Sequence, residues 1–203
     1  EALSTGQVGG CTTDQISALL NTEMSGFGTA QLAALSTDQV DALSTSQLAA
    51  LRAAQFRSLT TTQISALLTD QVRGLTNGAL AALSTDQARA FTTDQVQAFT
   101  THQISSLGTG TVAALTTDQL GALTTDQVVA LTKPAIHALT TSQLLGLSTG
   151  QIAAIETVDL AGMTSEQLNA LATDQVAAFT TAQVAALTAI QVSQLDVDQI
   201  AAF

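Results

Sequence analysis

The chain has 203 residues, a formal net charge of −11 and only five basic residues. That balance excludes nucleic acid and anionic membrane surfaces as expected partners, because both are held by Lys/Arg patches that displace counterions. With 3% aromatic residues and no Trp or Tyr, the chain also lacks the material from which enzymes and compact binding modules build pockets and hot spots.

From Leu3 onward the chain is one uninterrupted eight-residue pattern, and internal repeats govern any fold reading. Counting from the leucine as slot 0, that slot is apolar in every copy from Leu3 to Phe203, with Cys11, Phe27, Ile155 and Met163 among its variants. Slot 5 is apolar from Val8 to Ile200, and slot 7 is Ala, Gly or Ser everywhere except Gln194. No insertion breaks the phase, so residues 1–203 read as a single repeat domain, expected to be a piece of a longer array.

An eight-residue period does not fit one long helix, whose leucines would rotate by about 80° per repeat. Slots 0, 5 and 7 mix odd and even positions, which rules out strand alternation as well. Short helices remain. Slot 1 is usually Ser or Thr (Ser36, Thr60, Thr116) and slot 4 is Gln except at Glu23, Ala79, Thr111, Ala135 and Asp159. This is the Ser/Thr-x-x-Gln capping box, and it makes slots 0 and 5 the N′ and N4 partners of a hydrophobic staple. Asp at slot 3 (Asp14, Asp38, Asp70, Asp118) falls in the first turn, where it complements the helix dipole. Pro134, also at slot 3, falls where a missing N–H does little harm.

Such a helix has fewer than two turns. One cap and two apolar side chains fall short of the entropy of ordering eight residues, so stacked neighbours must supply the rest. The spacing therefore predicts an all-α solenoid with one capped helix per octad. Slot 6 alternates between polar residues (Asp41, Arg57, Arg73, Arg89, His137) and apolar ones (Ala33, Ala49, Ala81, Val129, Leu145), which predicts two helices per coil.

Leu3 and Val8 at one end, with Ile200 and Phe203 at the other, keep the interior pattern where a solenoid wants capping, and so are candidates for end-to-end assembly. Cys11, alone in a leucine slot, reads as a small buried hydrophobe. Arg57, Arg73 and Arg89, sixteen residues apart, would align under a two-octad coil into a basic stripe for docking a partner. The slot-4 glutamines read mainly as cap partners and alternatively as an amide array facing a glycan. His102 and His137 share no metal spacing with Cys11 or a carboxylate, and the many hydroxyls are accounted for by caps. No catalytic, cofactor-binding or metal residue is assigned.

The words "LSTDQV" at Leu35–Val40, "LTTDQV" at Leu123–Val128 and "FTTDQV" at Phe91–Val96 resemble the short Thr-, Gln- and Leu-rich repeats of large bacterial exoproteins labelled as haem-utilisation or adhesion proteins. The resemblance implies a secreted or cell-surface bacterial product. Haem itself is not expected, since neither histidine recurs with the octad. The expected function is non-enzymatic and structural: a stalk, an adhesin repeat region or a self-associating filament subunit, with no membrane insertion. The alternative is a binding module whose repeated Thr/Gln/Asp face recognises a glycan, a surface or ice.

Overall fold

The computed structural model describes residues 3–203, which form short helices in tandem without strands among the described residues. They fall into two compact units, one running up to Leu107 and the other spanning Gly108–Phe203. The first begins with α1 (Thr5–Gly9), α2 (Thr13–Ser17), α3 (Asn21–Gly26), α4 (Thr29–Ala33), α5 (Thr37–Asp41) and α6 (Thr45–Ala49). It continues with α7 (Ala53–Arg57), α8 (Thr61–Ser65), α9 (Thr69–Arg73), α10 (Asn77–Ala81), α11 (Thr85–Ala90), α12 (Thr93–Ala98) and α13 (Thr101–Ser105). The second begins with α14 (Thr109–Ala114), α15 (Thr117–Gly121), α16 (Thr125–Val129), α17 (Lys133–His137), α18 (Thr141–Leu145) and α19 (Thr149–Ala154). It ends with α20 (Thr157–Leu160), α21 (Ser165–Asn169), α22 (Thr173–Ala177), α23 (Thr181–Ala186), α24 (Ala189–Gln194) and α25 (Val197–Ala201).

Most helices start where the capping box places them; α10, α14, α17 and α20 lack the box and keep the same phase. At α5 the Gln39 amide N–H donates to Ser36 Oγ at 3.2 Å, and the Ser36 N–H donates to Gln39 Oε1 at 2.8 Å. Where slot 1 carries no acceptor, as at Leu68 and Ala172, the glutamine half of the box persists: Leu68 N–H reaches Gln71 Oε1 at 2.7 Å and Ala172 N–H reaches Gln175 Oε1 at 2.9 Å.

Helices stop without left-handed residues, since no described residue has positive φ. Instead slot 0 turns extended, as at Phe27 (φ −65, ψ 138) and Ile155 (φ −61, ψ 128), and its side chain enters the core. Slot 5 is the innermost position: Val8, Leu32, Val40, Phe56 and Ile152 are wholly buried.

Coils close later than the slot-6 alternation suggests. Helices three apart stack on each other: α1 with α4, α2 with α5 and so on to α9 with α12, then α14 with α17 through to α22 with α25. Two helices per coil is therefore corrected to three or more. The physical reason is that slot 6 points outward whichever class occupies it. Arg57 and Arg73 are exposed, and so are Ala49, Val129 and Leu145, so the alternation there is unconstrained by packing.

Stacking also explains the small residues at slot 7. A Cβ built on Gly74 would lie 2.8 Å from Thr45 Cβ, and one on Gly146 would lie 3.2 Å from Thr117 Cβ. Slot 7 of one helix thus meets slot 2 of the helix three earlier, and there is room for little beyond Ala.

Candidate functional site

The feature that recurs in nearly every octad is the slot-4 side chain, and the structure gives it two tasks. In α6, Gln47 Oε1 accepts from the Ser44 N–H at 2.7 Å, closing the start of its own helix. Its Nε2 donates to the carbonyls of Ile16 at 2.9 Å and Leu19 at 2.8 Å, which lie 31 and 28 residues earlier. Those carbonyls lie at and just beyond the end of α2; the Ile16 carbonyl also accepts from the Leu19 N–H at 3.2 Å, and its second lone pair takes the glutamine. One amide therefore serves two helix ends in successive coils.

The same geometry repeats at Gln71 on Val40 and Leu43 (2.9 and 2.6 Å), Gln103 on Val72 and Leu75 (2.9 and 2.9 Å), and Gln151 on Leu120 and Leu123 (2.9 and 2.8 Å). These glutamines are buried, Gln47 at 2% exposure and Gln151 at 3%, so a ligand-facing array of slot-4 amides is not what the interior presents. Sequence reading found the local half of this arrangement, because a cap lies three residues away. The half that reaches 28 to 31 residues back has no local signature.

Asp159 is the acidic exception inside the ladder. It is buried at 5% exposure. Burial pushes its carboxyl above the usual carboxylate range, Glu156 beside it pushes the same way, and Lys133 opposes them. Lys133 occupies a slot-2 position in α17, stacked on α20, and a Cβ on Gly162 would come within 2.8 Å of Lys133 Cγ. Lysine in place of threonine is accommodated by glycine at the facing slot 7.

Arg57 Nη1 donates to the Ala82 carbonyl at 3.5 Å, and Arg73 pairs with Asp70 at 3.1 Å with both side chains exposed. Arg89 lies in the last turn of α11. Their alignment required a two-octad coil. They stand instead on α7, α9 and α11, and the main stacking partners of these helices are α4 and α10, α6 and α12, and α8 respectively.

Of the end residues, Leu3, Ile200 and Phe203 are 41%, 45% and 49% exposed. Val8 is wholly buried and is corrected: α1 stacks on α4, and the Val8 carbonyl accepts from Gln39 Nε2 at 3.0 Å. Cys11 is only half-buried, its thiol donating to the Gln7 carbonyl at 3.3 Å. His102 Nε2 and Asn77 Nδ2 lie 3.1 Å apart, whereas His137 is exposed in the last turn of α17.

Among the described residues, no group of three or more His, Cys, Asp or Glu side chains gathers in a metal-holding arrangement, and no helix is long and apolar enough to cross a membrane. A surface groove of about 470 Å³ lies between the starts of α3 and α6 beside Leu20, Asn21, Ser44 and Ser46.

Stacked, capped octads joined by buried glutamines define a helical-repeat solenoid protein. The chain belongs to the ALTTAQ repeat family, which matches residues 22–52, 45–77, 73–101, 101–133 and 152–189. No curated protein matches it.

Proposed function

We propose that this chain is a non-enzymatic structural protein of a bacterial cell surface, working as a stalk, an adhesin repeat region or a self-associating filament subunit. The observation that carries this reading is the double use of the slot-4 amide. The most frequent polar side chain of the interior is spent on joining one coil to the next, as at Gln47, Gln95 and Gln183. The extracellular setting rests on the resemblance of "LTTDQV" words to repeats of large bacterial exoproteins.

A protein that transmits load should resist extension coil by coil, because each repeat is held by its nearest neighbours. Pulled from its two ends in a force-extension experiment, the chain is expected to release in resisted steps of roughly 100 Å, the extended length of about one coil. Smooth extension at the first pull would contradict the reading.

A second reading is favoured by one observation: slot-2 threonines such as Thr45, Thr69, Thr93 and Thr117 are all exposed. They and the exposed slot-3 aspartates would be the contact groups for a glycan, a surface or ice, without the buried glutamines. Glycan-array and ice-recrystallisation assays test it, and no effect in either removes it.

A further inference from the structure

Slot 4 departs from glutamine at Asp159 with no change of register around it. Leu160 and Met163 fill slots 5 and 0 of that octad at 0% and 4% exposure. Gly162 faces Lys133 across the same 29 residues that separate Gly146 from Thr117. The octad before it joins backward through Gln151 to the carbonyls of Leu120, Gly121 and Leu123. The octad after it does so through Gln167 to Ile136, His137 and Leu139. By the same register the Asp159 side chain is directed at the carbonyls of Val128, Val129 and Leu131, at and just beyond the end of α16. Its burial agrees: 5% exposure, like Gln151 (3%) and Gln167 (5%), whereas the slot-3 carboxylates Asp118 and Asp126 are exposed.

The chemistry does not agree. Where glutamine presents Nε2, aspartate presents only oxygen, and a carboxylate held toward carbonyls repels them. Among the described residues, no N–H or O–H donates to that carboxylate, and none donates to the Val129 and Leu131 carbonyls. The Val128 carbonyl takes the Leu131 N–H at 3.1 Å and keeps its second lone pair. Glu156 stands near enough to push the Asp159 carboxyl further up, while Lys133 opposes it without forming an ion pair with either carboxylate. The result is a buried set of oxygens that lacks a positive partner.

We propose that this set is a calcium site, made by the Asp159 carboxylate, the carbonyls of Val128, Val129 and Leu131, and the Glu156 carboxylate from the solvent side, with water completing the shell. Calcium accepts carboxylate, carbonyl and water oxygens in a flexible shell, whereas magnesium dehydrates reluctantly and demands a strict octahedron. A doubly charged ion also balances two carboxylates. The site has only two acidic side chains because main-chain oxygens supply the other protein ligands. The ion takes over the task of the missing amide and ties α20 to the end of α16.

Isothermal titration and melting curves test this on chelator-treated protein, with calcium chloride as the only added divalent salt. The parent should bind one calcium ion with a Kd of about 10⁻⁴ to 10⁻³ M, the range of extracellular calcium modules. Calcium at about ten times that Kd should raise the melting temperature by about 3 °C. Asp159→Gln supplies Nε2 in place of the ion. It should melt no lower than the parent in chelator, bind at least about tenfold more weakly and lose the calcium-dependent rise. Lys133→Thr removes the opposing charge and should bind about two- to fivefold more tightly, a gain that no loss of structure imitates. A parent with no calcium-dependent rise, or a Lys133→Thr protein that binds no more tightly, would overturn the proposal. Equal binding by parent and Asp159→Gln would overturn it too, and would assign the ion to the exposed slot-3 aspartates.

Discussion

Two adjacent helices of the second unit, α19 and α20, differ at slot 4, and the difference shows what the slot is for. In α19, Gln151 accepts from the Ser148 N–H at 2.8 Å and donates to the carbonyls of Leu120, Gly121 and Leu123 at 2.9, 3.2 and 2.8 Å. In α20, Asp159 is too short and, when ionised, has no proton to give to Val128 and Leu131, the equivalent residues 31 and 28 earlier. Its N-cap is Glu156, whose side chain makes no cap bond, and the helix shrinks to four residues. An amide, with an acceptor oxygen and a donor nitrogen, serves the start of its own helix and the end of a helix in the preceding coil, whereas an ionised carboxylate can give nothing to the second of these and adds the cost of burying charge.

The comparison can be broken from the Gln side. Gln151→Glu keeps the acceptor toward Ser148 but sets a carboxylate against three carbonyls in a buried place, so urea unfolding should show a loss of about 3 kcal/mol. A loss under about 0.5 kcal/mol would mean that the coil-to-coil bonds contribute little.

The next effect concerns the accommodation around α20. Gly162→Ala drives a methyl group into Lys133 and should cost about 2 kcal/mol, most of which Lys133→Ala in the same chain should restore. Additive losses in that double-mutant cycle would deny the Lys133–Gly162 contact.

The comparison is sharpened by conversion. Asp159→Gln supplies the missing donor and should raise stability by about 1 kcal/mol. No gain would show that Val128 and Leu131 need no amide.

The smallest effect is in the pH dependence. Because the folded-state carboxyl of Asp159 titrates above its unfolded value near 3.8, the folded state holds the proton more tightly. Stability therefore rises as pH falls from neutrality through the folded value, and the gain is complete below the unfolded one. The melting temperature of the parent minus that of Asp159→Asn should climb over that interval as acid is added, and a flat difference would show that burial does not perturb the group.

Much of this architecture is legible in the sequence because it is local. Ser36 and Gln39 are three residues apart and Leu35 and Val40 five, so the cap and the staple declare themselves within one octad. The coil size is not local. Slot 6, which suggested it, faces outward at Arg57 and Val129 alike and carries no record of the neighbouring coil. A better signal sits at slots 2 and 7, where Lys133 is matched 29 residues later by Gly162, but a single such pair in one sequence is easily passed over. The burial of Val8 was missed for a related reason: the end of a repeat reads like its middle, and only the packing of α4 on α1 tells which slot of the first coil is covered.

The claim on which the ladder depends is that a coil closes after three to four octads, bringing slot 2 against the slot 7 found 29 residues later. Cysteines at Thr117 and Gly146, with Cys11 replaced by alanine, place two Cβ atoms 3.2 Å apart, close to the range a disulfide spans. Oxidation under dilute, native conditions should link them within one chain, while Thr117→Cys with Ala138→Cys, the pair a two-octad coil would bring together, should stay reduced. Rapid closure of 117 to 138, with 117 to 146 left open, would contradict the account.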